Sequence, residues 1–111
     1  MDLDLSQEHE LLCETVTKFM SKEIEPYIDE IDRNDKLPEG IWKKLSELGI
    51  MGITIPEKYG GGGFDFLSAV LAVEYIARTC AALALSFVTH IILCTDTLFR
   101  HSNEEQRMKY L

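Results

Sequence analysis

Four consecutive glycines, Gly60 to Gly63, stand between Tyr59 and Phe64 and constrain the fold more than any other feature of the sequence. Glycine loses more conformational freedom on folding than any other residue, so such a run is excluded from the interior of a helix or strand and forms a turn. The turn divides the 111-residue chain into two stretches of different character. Behind it, Asp65 is suited to cap a helix, and the segments from Phe66 to about Arg78 and from about Ala81 to Phe99 are apolar on nearly every side. That pattern predicts two helices central to the core.

Ahead of the turn the pattern is amphipathic. Leu12, Val16, Phe19, Ile24, Ile28 and Ile31 recur at steps of three to five, which predicts a helix from Ser6 to about Ile31. Pro26 lacks an amide donor and clashes with the preceding turn, so it kinks this segment or opens a second helix. Residues 33–37 form a polar turn. Pro38 then opens a third helix with Ile41, Trp42, Leu45 and Leu48 on one face, and Gly49 ends it. The β-branched stretch from Ile50 to Pro56 is expected to be an extended connection, with no sheet partner in view. Ser102, Asn103, Glu104 and Glu105 carry the pattern of a capping box with Ser102 as the cap, and start a last short helix. That helix breaks off mid-pattern at Met108, Tyr110 and Leu111, so the natural chain is expected to continue. The reading is one all-α domain over residues 1–111, an orthogonal or up-down bundle of about six helices.

Charge narrows the partners. Eleven Lys and Arg against nineteen Asp and Glu give a formal charge of −8, which repels phosphate backbones and anionic lipid heads. Neither nucleic acid nor membrane is expected as a partner. The uncharged stretch between Arg78 and Asp96 holds Ser86, Thr89, His90 and Thr95 and falls short of about 20 apolar residues, so it suits a buried helix. Cys13, Cys80 and Cys94 are odd in number and lack CxxC spacing, which points to free thiols in a reducing compartment. The acidic N-terminus MDLDLSQEHELL resembles neither a signal peptide nor a transit peptide, and a cytoplasmic location is expected.

Few residues suggest chemistry. The glycine run lacks the Lys-Ser or Lys-Thr of a P-loop and the spaced glycines of a dinucleotide fold, so a tight turn is the better reading. His9 with Cys13, and His90 with Cys94, have the i, i+4 spacing of metal ligands, but each pair is half a site. A core histidine beside a buried thiol is expected in each place, and no metal is assigned. Asp29, Glu30, Asp32 and Asp35 read as a solvated helix end. In the most apolar helix, Leu85, Thr89 and Leu93 fall at steps of four, flanked by Ser86 and His90. This stripe with small polar notches fits either core packing or the lining of a pocket.

The residues from Leu48 to Gly61, LGIMGITIPEKYGG, resemble the "LG(L/I)xG…IPExYGG" signature of the acyl-CoA dehydrogenase family. The resemblance continues upstream in Ile24-Glu25-Pro26 and Trp42-x-x-Leu45. Downstream it runs through Val73-Glu74-x-Ile76-Ala77-Arg78, Thr89-His90-x-x-Leu93 and Glu105-Gln106-x-x-x-Tyr110-Leu111. It spans the whole chain and implies the family's N-terminal all-helical domain, without the β domain and second helical domain that follow it. The family's reaction removes an α-proton from an acyl-CoA thioester with a glutamate of a later domain, while the β-hydride passes to FAD. A trans-2-enoyl-CoA forms, and an electron-transfer flavoprotein accepts the electrons.

By resemblance, Leu85, Ser86, Thr89, His90 and Leu93 line the acyl tunnel, with Val70, Leu71 and Glu74 as weaker candidates for its far wall. No catalytic residue is expected in this chain, no cofactor-binding residue is assigned, and no FAD is expected on the chain alone. The parent enzyme is expected to be a homo-tetramer and the fragment a monomer or dimer. Family members often carry asparagine after the tunnel histidine, where this chain has Ile91, which leaves acyl specificity open. Acyl-CoA oxidases and flavin monooxygenases share the domain. The alternatives to a dehydrogenase domain are therefore one of these enzymes, or a free-standing helical interaction module.

Overall fold

A computed structural model describes residues 3–111. Met1 and Asp2, with their share of the targeting and domain expectations, lie outside the described residues. Every regular element described is helical: α1 (Gln7–Glu23), α2 (Ile28–Asn34), α3 (Ile41–Leu48), α4 (Phe66–Ala77), α5 (Ala81–His101) and α6 (Glu104–Tyr110).

Helix α1 starts where Ser6 accepts the backbone amide of His9, whose ring turns back toward the Ser6 amide and hydroxyl to complete a capping box. Its inner face is Leu12, Cys13, Val16 and Met20. The stretch divides into two helices at Pro26, as expected, with α1 stopping at Glu23. Pro26 cannot donate to the preceding turn, and Glu25–Tyr27 tightens into a 3₁₀ turn before α2 sets off. Ile24 and Ile31 are carried into the core on either side of this break.

Helix α3 starts at Ile41 rather than at Pro38, because Gly40 takes the left-handed backbone with φ of 79° and separates the proline from the helix. Ile41 and Leu45 are buried, whereas Trp42 is 40% exposed and lies off the packed face. Gly49, with φ of 87°, closes α3.

The stretch from Ile50 to Pro56 is not extended. It coils into turns that bury Ile50, Ile53 and Ile55, and the glycine run folds back over it. The amides of Gly62, Gly63 and Phe64 donate to the carbonyls of Gly52, Ile55 and Ile53. The β-branched residues thus serve burial, and their backbone groups are satisfied by the glycine turn instead of a neighbouring strand.

Asp65 caps α4 by accepting the Ser68 amide at 2.8 Å. Helix α4 packs against α1 on one side and α5 on the other. The shared core holds Val16, Met20, Ile24, Leu45, Ile53, Ile76, Leu83, Phe87 and Ile91. Helices α4 and α5 are central as expected, but each buries one face only; Phe66, Leu67, Val70, Leu85 and Leu93 point outward. The last helix is capped one residue later than predicted. Asn103 accepts from the Gln106 amide and the Gln106 side chain returns to the Asn103 amide, while Ser102 donates to the carbonyl of Leu98 and finishes α5.

Candidate functional site

The outer surface of α5 carries the stripe read from the sequence, and its geometry depends on an irregularity. From Thr89 to Asp96 the helix is in π form. An α-helix has about 3.6 residues per turn, so residues four apart drift progressively around the axis, whereas a wider π turn takes more than four residues and cancels the drift. The burial pattern follows this register: Leu83, Phe87 and Ile91 face the core at steps of four, and the next inward residue is Asp96, five further on. On the outside, Leu85 and Leu93 are both 68% exposed although eight residues apart, with Thr89 exposed between them. Such π segments are frequent at functional sites.

The structure places Leu85, Ser86, Thr89 and Leu93 on the exposed face and His90 half-buried at its edge. Thr89 donates its hydroxyl to the carbonyl of Leu85 at 2.7 Å, so its methyl group is left as the outward feature. The weaker candidates separate. Leu71 is buried in the core, and Glu74 pairs with Arg78 at 3.1 Å on the surface. Val70 lines a shallow apolar groove of 170 Å³ between α4 and α5, together with Phe66, Ala69, Val73, Val88 and Ile92.

The histidine and cysteine pairs behave differently from their expectation as core pairs. His90 is only partly covered and Cys94 is exposed, because the π register turns position 94 outward and position 96 inward. Cys13 is buried, but His9 is held by hydrogen bonds to Ser6 and Asp65, its Nε2 lying 3.1 Å from each Asp65 oxygen. Among the described residues no three His, Cys, Asp or Glu side chains converge on a common point. Asp29, Glu30, Asp32 and Asp35 lie exposed around α2.

The glycine run offers no cradle for a phosphate. The amides from Gly60 to Phe64 all donate to carbonyls of the same loop, at 2.8–3.2 Å. A nucleotide's phosphates need such amides pointing outward and free. By this test the loop does not fit the pyrophosphate of FAD.

Two arrangements were not read from the sequence. Tyr59 donates its hydroxyl to Glu104 Oε2 at 2.6 Å and packs edge-on against Phe99, tying the glycine turn to the start of α6. This hydroxyl, with the nearby Lys58 ammonium, holds the Glu104 carboxyl below the usual range. The other is Asp96, largely buried, which accepts from Arg100 Nε at 2.7 Å. The i, i+4 spacing of Asp96 and Arg100 was a visible signal for the second, whereas the first joins residues 45 apart. At the start of α4 the Asp65 carboxyl is drawn down to about 2 by the Ser68 hydroxyl and amide and then by His9.

Comparison with known proteins accounts for this layout. The family model for the acyl-CoA dehydrogenase N-terminal domain matches residues 6–111. The chain is 42% identical over 109 residues to the mitochondrial isovaleryl-CoA dehydrogenase of Pongo abelii, covering 96% of this chain and 26% of that protein. It superposes on butyryl-CoA dehydrogenase from Megasphaera elsdenii with a TM-score of 0.93 and 32% identity, over 100% of this chain and 30% of that one. A chain from the structural study of the electron transferring flavoprotein of Acidaminococcus fermentans matches with a TM-score of 0.95 and 31% identity, over 100% of this chain and 29% of that one. The sequence in hand thus spans under a third of the length of these relatives. It belongs to the acyl-CoA dehydrogenase family and covers that family's N-terminal helical domain.

Proposed function

We propose that this domain forms the substrate side of a FAD-dependent enzyme that oxidises an acyl-CoA thioester to a trans-2-enoyl-CoA. The observation that carries the reading is the outward, aligned stripe of α5 in a chain of this family. Leu85 and Leu93 offer aliphatic surface to an acyl chain, Thr89 offers its methyl group between them, and Ser86 and His90 border the strip with polar atoms. Apolar contact of this kind positions a tail without reacting with it, which is the part left to a domain holding no catalytic base. A flavin held by the parts of the enzyme outside this chain would supply the hydride acceptor, and the residues of the α5 stripe would hold the acyl chain in place beside it. Isovaleryl-CoA and butyryl-CoA appear in the names of similar proteins, which supports a short acyl chain.

The likeness to a chain from an electron transferring flavoprotein study supports such a flavoprotein as electron acceptor of the parent enzyme. A homo-tetrameric parent and a cytoplasmic location complete the reading, the latter resting on the free thiols of Cys13, Cys80 and Cys94.

The test is a chimera in which this chain replaces the N-terminal domain of the Megasphaera butyryl-CoA dehydrogenase. We expect it to bleach its flavin with butyryl-CoA or isovaleryl-CoA, and Thr89→Phe to raise KM for the acyl-CoA at unchanged flavin content. A folded, flavin-loaded chimera inert toward every acyl-CoA tried would refute the proposal. So would turnover by the isolated chain.

A further inference from the structure

The π register of α5 runs against the preferences of its own side chains. Leu83, Phe87 and Ile91 face inward before the irregular turn, and in a regular helix the next inward residue would be Cys94 or Thr95. Asp96, five residues beyond Ile91, would then lie about 140° round the axis and face away from the core. Instead Asp96 is only 8% exposed, held by Arg100 Nε at 2.7 Å, while Cys94 is exposed. Cysteine buries readily, whereas an inward carboxylate gives up hydration that one ion pair roughly returns. What holds the helix in this register lies past Asp96. Tyr59 packs edge-on against Phe99, with ring centres 6.0 Å apart, and donates its hydroxyl to Glu104 Oε2 at 2.6 Å. From the other side Arg107 Nε donates to the Phe99 carbonyl at 2.8 Å. Tyr59 is itself fixed in its loop, where its amide donates to Pro56 at 3.0 Å and the next amide, of Gly60, to Glu57 at 2.9 Å.

We infer that Tyr59 is a positioning residue for the stripe of Leu85, Thr89 and Leu93. By clasping Phe99 it sets the rotation of the far end of α5, and the π turn takes up the difference from the rotation set by Leu83, Phe87 and Ile91. The inference rests on the reading of that stripe as the acyl contact. In a regular helix Leu85 and Leu93, eight residues apart, would diverge by about 80°, whereas here both are 68% exposed on one face. Releasing the clasp lets α5 relax to the register its side chains prefer. Cys94 then turns in, Asp96 turns out, and Leu93 swings away from Leu85. Neither Tyr59 nor Phe99 belongs to the stripe, so the effect passes through the backbone of α5.

The experiment labels the thiols of the chain with iodoacetamide and follows each cysteine by mass spectrometry. In the unsubstituted chain Cys94 is expected to react first, since Cys13 and Cys80 are buried. Tyr59→Leu is expected to slow the labelling of Cys94 about tenfold, because burial hides a thiol from the reagent. This direction separates a change of register from mere loosening, which would speed the labelling and bring in Cys80. Tyr59→Phe keeps the ring and is expected to keep the original rate. Phe99→Ala removes the clasp from the helix side and is expected to slow Cys94 as Tyr59→Leu does. In the chimera with the Megasphaera enzyme, Tyr59→Leu is expected to raise KM for butyryl-CoA about fivefold with kcat and flavin content kept, the mark of lost tail binding. Cys94 labelling that is unchanged or faster in either Tyr59→Leu or Phe99→Ala overturns the inference. So does an unchanged KM when Tyr59→Leu is placed in an active chimera. A chimera without turnover before any substitution refutes the acyl reading alone, and the labelling rates still decide whether Tyr59 sets the register.

Discussion

Replacing Gly61 by alanine tests the role of the glycine turn as a device for close backbone approach. A Cβ at Gly61 would lie 2.1 Å from the carbonyl oxygen of Ile55 and 2.5 Å from both its carbonyl carbon and its Cβ. These neighbours are backbone or near it, so no flexible side chain can swing away. Ile55 is also fixed: it is 3% exposed, its amide donates to Gly52 at 3.1 Å, and its carbonyl accepts from Gly63 at 2.9 Å. Relief requires moving the glycine strand off Ile55, which loses one or two loop hydrogen bonds. Overpacking costs about 1–3 kcal/mol and each lost hydrogen bond about 1 kcal/mol, so we expect Gly61→Ala to destabilise by roughly 2–5 kcal/mol. At about 4–8 °C per kcal/mol for a domain near this size, Tm should fall by at least ~8 °C. Gly60→Ala is the internal control. It has φ of 86° with nothing within 4 Å of the added Cβ, so only the left-handed backbone penalty of about 1–2 kcal/mol applies. Urea unfolding followed by far-UV circular dichroism gives both values. If Gly61→Ala is no more destabilising than Gly60→Ala, the argument from close approach is wrong.

Three further outcomes are expected. Asn103→Ala should cost about 1 kcal/mol and speed hydrogen exchange in the first turn of α6, whereas Ser102→Ala should leave that turn protected; the reverse order would restore Ser102 as the cap. Asp65 has a folded pKa of about 2 against an ordinary value of 3.8, so the unfolded chain binds the proton more tightly. The stabilisation it gives is complete above the ordinary value and is lost as pH falls toward 2. Asp65→Asn should therefore flatten the stability profile across that window in acid titrations, and an unchanged slope would refute the assignment. Tyr59→Phe removes the first cause of the lowered Glu104 carboxyl, which should then titrate higher by NMR, toward its ordinary range.

Local signals set much of the fold before any tertiary contact was known. Pro26 breaks the first helical stretch because a missing amide acts wherever it stands, and Gly49 ends α3 because a left-handed cap favours glycine. The apolar stretches on either side of Arg78 and Cys80 become α4 and α5, as periodicity and length required. The signature around Leu48 to Gly61 carries the family resemblance through its order of residues, whereas the stretch inside it, Ile50 to Pro56, coils into turns rather than extending. Its propensity is that of a strand, but with no partner edge its backbone groups are satisfied by the glycine turn, a contact between segments.

The site was legible in part. The sequence alone determined that Leu85, Thr89 and Leu93 form a stripe with small polar notches. Only the tertiary structure decided that the stripe faces outward, that Cys94 points to solvent, and that Asp96 is drawn inside to hold Arg100. An i→i+5 register is not encoded in helical periodicity. It appears when packing of Leu83, Phe87 and Ile91 in the core beside α4 is balanced against the geometry of the backbone between them. The groove has the same origin, since its two walls lie on different helices and their alignment follows from how α5 folds back along α4.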